Sequence, residues 1–136
     1  MNSLRVWVVR AGDNNEIVDD VRDKSVVAIG WAAMGDMSGL LTREKIRQRF
    51  EQVCSTDADY ADYVGSEVKI GIAVGQLYRF LSEIKKGDYV LTPNKLLREV
   101  MIGEVTGDYL YDPTWSKTAK WYPHIRKVKW LKTVSR

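Results

Sequence analysis

The chain lacks most of what a secreted protein or a metalloenzyme of its size would carry. It has one cysteine, Cys54, and one histidine, His124, in 136 residues. A lone cysteine closes no internal disulfide, and without a CxxC pair or a Cys/His cluster there is no donor set for zinc. These absences point to a reducing compartment, the cytoplasm, and to a protein that uses no metal or other cofactor. No apolar run approaches the roughly 20 residues that span a bilayer. Met1 leads straight into a strand-like segment, so neither a secretion signal nor a membrane partner is expected. There is no Walker loop and no GxGxxG, which leaves nucleotide hydrolysis and dinucleotide binding without a motif.

A further absence says more. After Asp112 there is no carboxylate, while Lys117, Lys120, Arg126, Lys127, Lys129, Lys132 and Arg136 follow among Trp115, Trp121, Tyr122 and Trp130. This tail holds 7 of the 21 cations, so the first 112 residues set 14 cations against all 18 carboxylates. The net charge of +3 is therefore a basic tail on an acidic body. Cations release counterions from phosphates, and flat rings offer stacking surface to bases. A run of charge is also a common solvated face, and phosphate contact is the preferred reading because nothing acidic offsets the run. Otherwise the composition, 45% hydrophobic and 29% charged, is that of an ordinary globular protein, and the length suits one domain with a core that needs no staples.

Residues 4–10, LRVWVVR, read as a strand that ends in a turn at Ala11-Gly12-Asp13. A short helix then buries Ile17, Val18 and Val21, with Asp13 or Asn14 as its cap. SVVAIGW at 25–31 is a continuous apolar run, which suggests a strand buried on both faces and a chain reversal beyond Gly30. Thr42 opens a partial capping box with Lys45 in the place of Glu, followed by a stripe of Ile46, Phe50 and Val53. Cys54 belongs to that stripe and reads as a buried or half-buried helix thiol with no chemistry. Residues 56–63 look like a loop or a helix start. A second helix is expected from about 66 to 86, with Val68, Ile72, Leu77, Phe80, Leu81 and Ile84 towards the core and Gly87-Asp88 as its stop. DYVLTP, REVMIGEVTGDYLYDP and HIRKVKWLKTVSR then alternate as strands, and Gly103 and Gly107 mark a bulge or bend. The expected fold is α+β, a curled and mostly antiparallel sheet of five or six strands with helices between the early ones.

The segments WVVRAG, VVAIGW, GQLYRF, GDYVLTP, IGEVTGDYLYDP and YPHIRKVKW, in this order, resemble the N-terminal domain that precedes the nuclease domain of many Mrr-like restriction endonucleases. The resemblance runs through nearly the whole chain and is least distinctive over 42–74. The strand-helix-strand opening and the long GEVTGDY hairpin are also similar to the wider PUA superfamily, with its EVE and YTH domains. The resemblance implies a PUA-like curled barrel spanning 1–136 that binds nucleic acid and holds one flipped, modified base in an aromatic pocket. It further implies a partner duplex of modified DNA, with RNA as the alternative polymer, and an effector nuclease in the same polypeptide or in a partner. Cleavage is not expected of this chain itself. The competing class is a protein-interaction or small-ligand module with an apolar cleft.

A reader that turns a base out of the duplex needs rings to replace the lost stacking and polar groups to test the base edge. Trp31, at the end of the apolar strand, is the first candidate ring, against a Trp that merely closes the core. Trp7 faces opposite to Val6 and Val8 and is a weaker candidate. Arg10, Ala11 and Gly12 form the turn after the first strand, where backbone N–H groups would be free and a cation could meet a phosphate or a base acceptor, or the arginine is simply solvated beside a capped helix. Asp36 would accept from an exocyclic amine or form a turn. Gln76 would present its amide to a base such as adenine, or serve a cap or a buried network. Tyr109 and Tyr111 share one strand face as a stacking surface or as cross-strand packing. Lys117, Lys120, Arg126, Lys127 and Lys129 are the candidate phosphate contacts. In the last strand His124, Arg126, Val128 and Trp130 share one face, and Ile125, Lys127, Lys129 and Leu131 the other. His124 lacks a serine or cysteine partner and reads as a strand histidine at a phosphate or in solvent. Glu67-Val68-Lys69 mimics a nuclease string but falls in a helix.

Overall fold

A computed structural model of the chain describes residues 5–136, so Leu4 of the expected first strand lies outside the described residues. The fold is α+β. Five strands form one mixed sheet in the order β1-β3-β4-β5-β2, with β1 at Val6–Val8, β2 at Val26–Ile29, β3 at Tyr89–Asn94, β4 at Glu99–Tyr111 and β5 at His124–Ser135. Only β1 and β3 run parallel, and the other three pairings are antiparallel. Among the described residues three α-helices accompany them: α1 at Val18–Lys24, α2 at Arg43–Thr56 and α3 at Glu67–Tyr78. Among the described residues no helix is long and apolar enough to cross a membrane.

The chain gathers into two compact units. Among the described residues the first comprises 5–32 and 84–136, the second 33–83. Charge divides between them: 15 Lys and Arg against 10 Asp and Glu in the first, 6 against 8 in the second.

The first unit holds the sheet and α1. Ala11, Ile17, Val18, Val21, Val26, Ala28, Met101 and Ile125 form a buried cluster, edged by Trp115, Tyr122 and Trp130. The expected cap of α1 is corrected. Neither Asp13 nor Asn14 caps it; the helix starts at Val18 after Ile17, without a side-chain cap. The backbone N–H groups of Asp13 and Asn14 instead donate to the Glu16 carboxylate, at 3.1 and 2.7 Å. The apolar positions of that helix are as expected, because burial of Ile17, Val18 and Val21 is what ties so short a helix down.

Both glycines of β4 stand where the ladder breaks, since register shifts fall between Ile102 and Gly103 and between Val105 and Tyr109. A β-carbon on Gly103 would lie 2.8 Å from the Trp130 ring, and one on Gly107 3.2 Å from Cβ of Lys127. Absence of a side chain lets β5 lie close over the bent strand.

The second unit is helical. Thr42 caps α2 by accepting from the backbone N–H of Lys45, and Ser66 caps α3 by accepting from that of Lys69. Ile46, Phe50 and Cys54 are buried on α2. Residues 58–63 form a 3-10 helix, whose Tyr60 and Tyr63 pack edge-on to Phe50. The expected core stripe of α3 is corrected in part. Ile70, Ala73, Val74 and Leu77 are buried, whereas Val68 and Ile72 are 74% and 58% exposed. The helix also ends earlier than expected, at Tyr78, and continues as a π turn over Arg79–Glu83.

Candidate functional site

The first unit brings Trp31, Tyr109 and Tyr111 together around a residue that sequence reasoning discounted. His124 opens β5 opposite Tyr111, two residues from the Tyr109–Arg126 pair. It is a strand histidine as expected but is fully buried, which corrects its expected place at a phosphate or in solvent. Its Nε2 lies 3.0 Å from the Trp31 carbonyl oxygen, and its Nδ1 lies 2.7 Å from the Tyr109 hydroxyl. A carbonyl only accepts, so Nε2 carries a proton, and in the neutral ring Nδ1 then accepts from the Tyr109 hydroxyl. A neutral imidazole satisfies both bonds. The Tyr109 ring stacks on His124 at 5.8 Å between centroids, and the tilted Tyr111 ring lies at 5.6 Å.

Trp31 is held in an uncommon conformation. Its φ is 58°, in the left-handed region where a bulky side chain is strained. The bond from His124 fixes its carbonyl there. Its ring is half-buried, and its indole N–H has no hydrogen-bond partner among the described residues. Three other tryptophans are committed internally: Trp7 donates to Asp88 at 3.0 Å, Trp115 to the Tyr122 carbonyl at 2.8 Å and Trp130 to the Val21 carbonyl at 3.0 Å. Trp7 is further covered by the Arg5 guanidinium, 4.8 Å from its ring centroid. These bonds place Trp7 as a brace between β1 and the Asp88 turn.

Arg10 is exposed, and Gly12 takes the left-handed φ of 81° that its turn requires. Just beyond that turn, the Glu16 carboxylate accepts from the backbone N–H groups of Asp13 and Asn14. Glu16 also accepts from the Tyr122 hydroxyl. That bond, the largest influence, together with the backbone N–H groups holds the Glu16 pKa down at about 2 despite some desolvation. Desolvation and the adjacent carboxylate push the Tyr122 hydroxyl up. The turn carries its own anion.

The basic candidates separate by burial. Lys117, Lys120, Lys127 and Lys129 are exposed. Arg126 is 2% exposed, and the expectation that it meets phosphate is corrected. Its Nε donates to the Gly107 carbonyl at 2.9 Å and an NH1 proton to the Ile84 carbonyl at 2.7 Å. Burial lowers its pKa, with Asp108 and Asp88 opposing. Arg126 thus ties the β4 bulge to the segment before β3. Lys117 and Lys120 sit in the connection between β4 and β5, where Asp112 accepts from the backbone and hydroxyl of Thr114 and has a lowered pKa for that reason.

Asp36 and Gln76 belong to the second unit. The Asp36 carboxylate accepts from the backbone N–H of Ser38 at 2.9 Å, as a turn-former does. Gln76 is exposed on α3. Among the described residues no group of His, Cys, Asp and Glu is placed to hold a metal ion.

No curated protein and no solved structure matches the chain. Over residues 7–136 it matches the family described as a domain of unknown function, DUF8426, and the protein belongs to that family.

Proposed function

We propose that the protein is a nucleic-acid reader that binds duplex DNA and recognises a modified base turned out towards Trp31. The observation that carries this reading is the combination at Trp31 of a strained backbone, a carbonyl locked by buried His124 and an uncommitted indole N–H. Strained positions held by their surroundings are characteristic of ligand clamps. Tyr109 and Tyr111 contribute further half-buried rings beside His124. The net cationic charge of the same unit, with exposed Lys117, Lys120, Lys127 and Lys129, supplies attraction for the phosphate backbone.

The α+β sheet with a bent β4 supports a PUA-like assignment of the fold, in keeping with the Mrr-like and EVE-like resemblance of the sequence. On this reading the domain directs an effector nuclease, in cis or in trans, to modified DNA and does no covalent chemistry itself.

The test is a fluorescence-anisotropy titration against matched duplexes that are unmodified or carry N6-methyladenine, 5-methylcytosine or 5-hydroxymethylcytosine. If the four exposed lysines each meet a phosphate, log K falls with log salt at a slope of about −3.6, or about 150-fold between 50 and 200 mM salt. Preference for one modification with such a slope supports the proposal. Salt-insensitive binding, or none, refutes it and favours the apolar-cleft alternative; tighter binding to RNA changes the polymer.

A further inference from the structure

Trp121 is the second indole in the first unit whose N–H has no hydrogen-bond partner among the described residues, and it is 57% exposed. Large rings are costly to leave in water, and a lone exposed one on a loose loop would mean little. This one sits on a braced loop. Its own backbone N–H donates to the Thr118 carbonyl at 3.0 Å, and that of Ala119 to the Ser116 carbonyl at 3.2 Å. The Thr118 hydroxyl donates to Asp20 at 3.0 Å, anchoring the loop to α1. On the next residue the carbonyl of Tyr122 accepts from Trp115 and its hydroxyl donates to Glu16. Ala119 is fully buried beneath. The chain has fixed the loop and left the ring outside.

Two neighbours say what the ring fits. The Lys120 ammonium lies 4.3 Å from the Trp121 ring centroid, over one face. A cation held there leaves the ring a single open face and brings positive charge to its border, the pairing that suits a nucleobase with its phosphate. The backbone of Trp121 also adjoins that of Gly30: a β-carbon on Gly30 would lie 3.7 Å from the Trp121 carbonyl oxygen. Trp31 is the next residue. The two uncommitted indoles therefore leave from adjoining segments of chain.

We propose that Trp121 is a second base-contact residue, which stacks its open face on the base pair exposed when a neighbouring base is turned out towards Trp31. The inference rests on the nucleic-acid reading above. With one face covered by Lys120, the ring caps a broken stack and is not threaded between two intact base pairs. Its ligand is the uncovered face of a base pair bordering a gap in duplex DNA.

The test uses the full chain and a duplex with a single abasic site beside its fully paired counterpart. In the abasic duplex there is a gap but no base for Trp31 to hold. Trp121→Ala then weakens binding to it by about 5- to 150-fold, the range of one aromatic–base stack. Trp121→Tyr restores most of it. If the wild type binds the abasic duplex and Trp121→Ala binds it equally well, this inference is overturned and the Trp31 reading stands. If Trp121→Tyr is as weak as Trp121→Ala, a stacking role is overturned. If the wild type binds neither duplex, both readings fall.

Discussion

Arg126 separates two accounts of the basic strand, and its removal gives them opposite signatures. The guanidinium is buried and donates to two main-chain carbonyls, of Gly107 at 2.9 Å and Ile84 at 2.7 Å. Arg126→Met keeps much of the side-chain volume but leaves both acceptors without these donors. An unsatisfied buried acceptor costs about 1–3 kcal/mol, so two cost about 2–6 kcal/mol. Removing a desolvated charge offsets part of this, and a net loss of about 2–4 kcal/mol is expected. In urea, with a slope of about 1.5 kcal/mol per M, the midpoint falls by about 1.3–2.7 M. Lys127→Met beside it is exposed, and its effect stays within about 0.5 kcal/mol. On DNA the order reverses, because Lys127→Met reduces the salt slope by about 1. An Arg126→Met protein with an unchanged urea midpoint and a flattened salt dependence would refute the buried-brace argument and restore Arg126 to the phosphate surface.

Other outcomes follow from the same geometry. Tyr109→Phe removes the hydroxyl that donates to buried Nδ1 of His124 and is expected to cost about 1–3 kcal/mol in a denaturation midpoint. Gly103→Ala drives a β-carbon into the Trp130 ring, which is itself tied to the Val21 carbonyl, and should cost about 1–3 kcal/mol by the same assay. Thr42→Ala deletes the cap of α2 and should lower stability by about 0.5–2 kcal/mol. Glu16 has a depressed pKa, so its contribution is complete above its ordinary value of 4.5 and is lost as pH falls towards about 2. Unfolding followed across that window should be less steep in pH for Glu16→Gln than for wild type; identical profiles would mean that the carboxylate does not hold the turn.

Sequence pattern revealed those features whose causes are local. The β-branched runs at β1 and β2 and the bulges at Gly103 and Gly107 depend on neighbours along the chain, and so does the Thr42 cap. The face of α3 was less legible because EVKIGIAVGQL carries two apolar stripes; tertiary packing chose Ile70, Ala73, Val74 and Leu77 and left Val68 and Ile72 outside. Alternation along β5 placed His124 and Arg126 on one face with Val128, but not what covers that face. Their burial depends on acceptors at Trp31, Gly107 and Ile84. Glu16 was missed for a similar reason, since Tyr122 stands 106 residues away in sequence. Trp121 was visible only as one aromatic in a basic tail; its exposure follows from the tight turns over 116–122, which have no periodic signature. In each case the missing information is a contact distant in sequence.

The most direct test of the reader is the affinity ratio between modified and unmodified duplex, measured by anisotropy at one salt concentration for wild type and Trp31→Ala. The account predicts that wild type prefers one modification and that Trp31→Ala loses about 5- to 150-fold on that duplex, the worth of one stacked base, while retaining the salt slope set by the lysines. Equal loss on modified and unmodified duplexes, or an unchanged preference in Trp31→Ala, would contradict it.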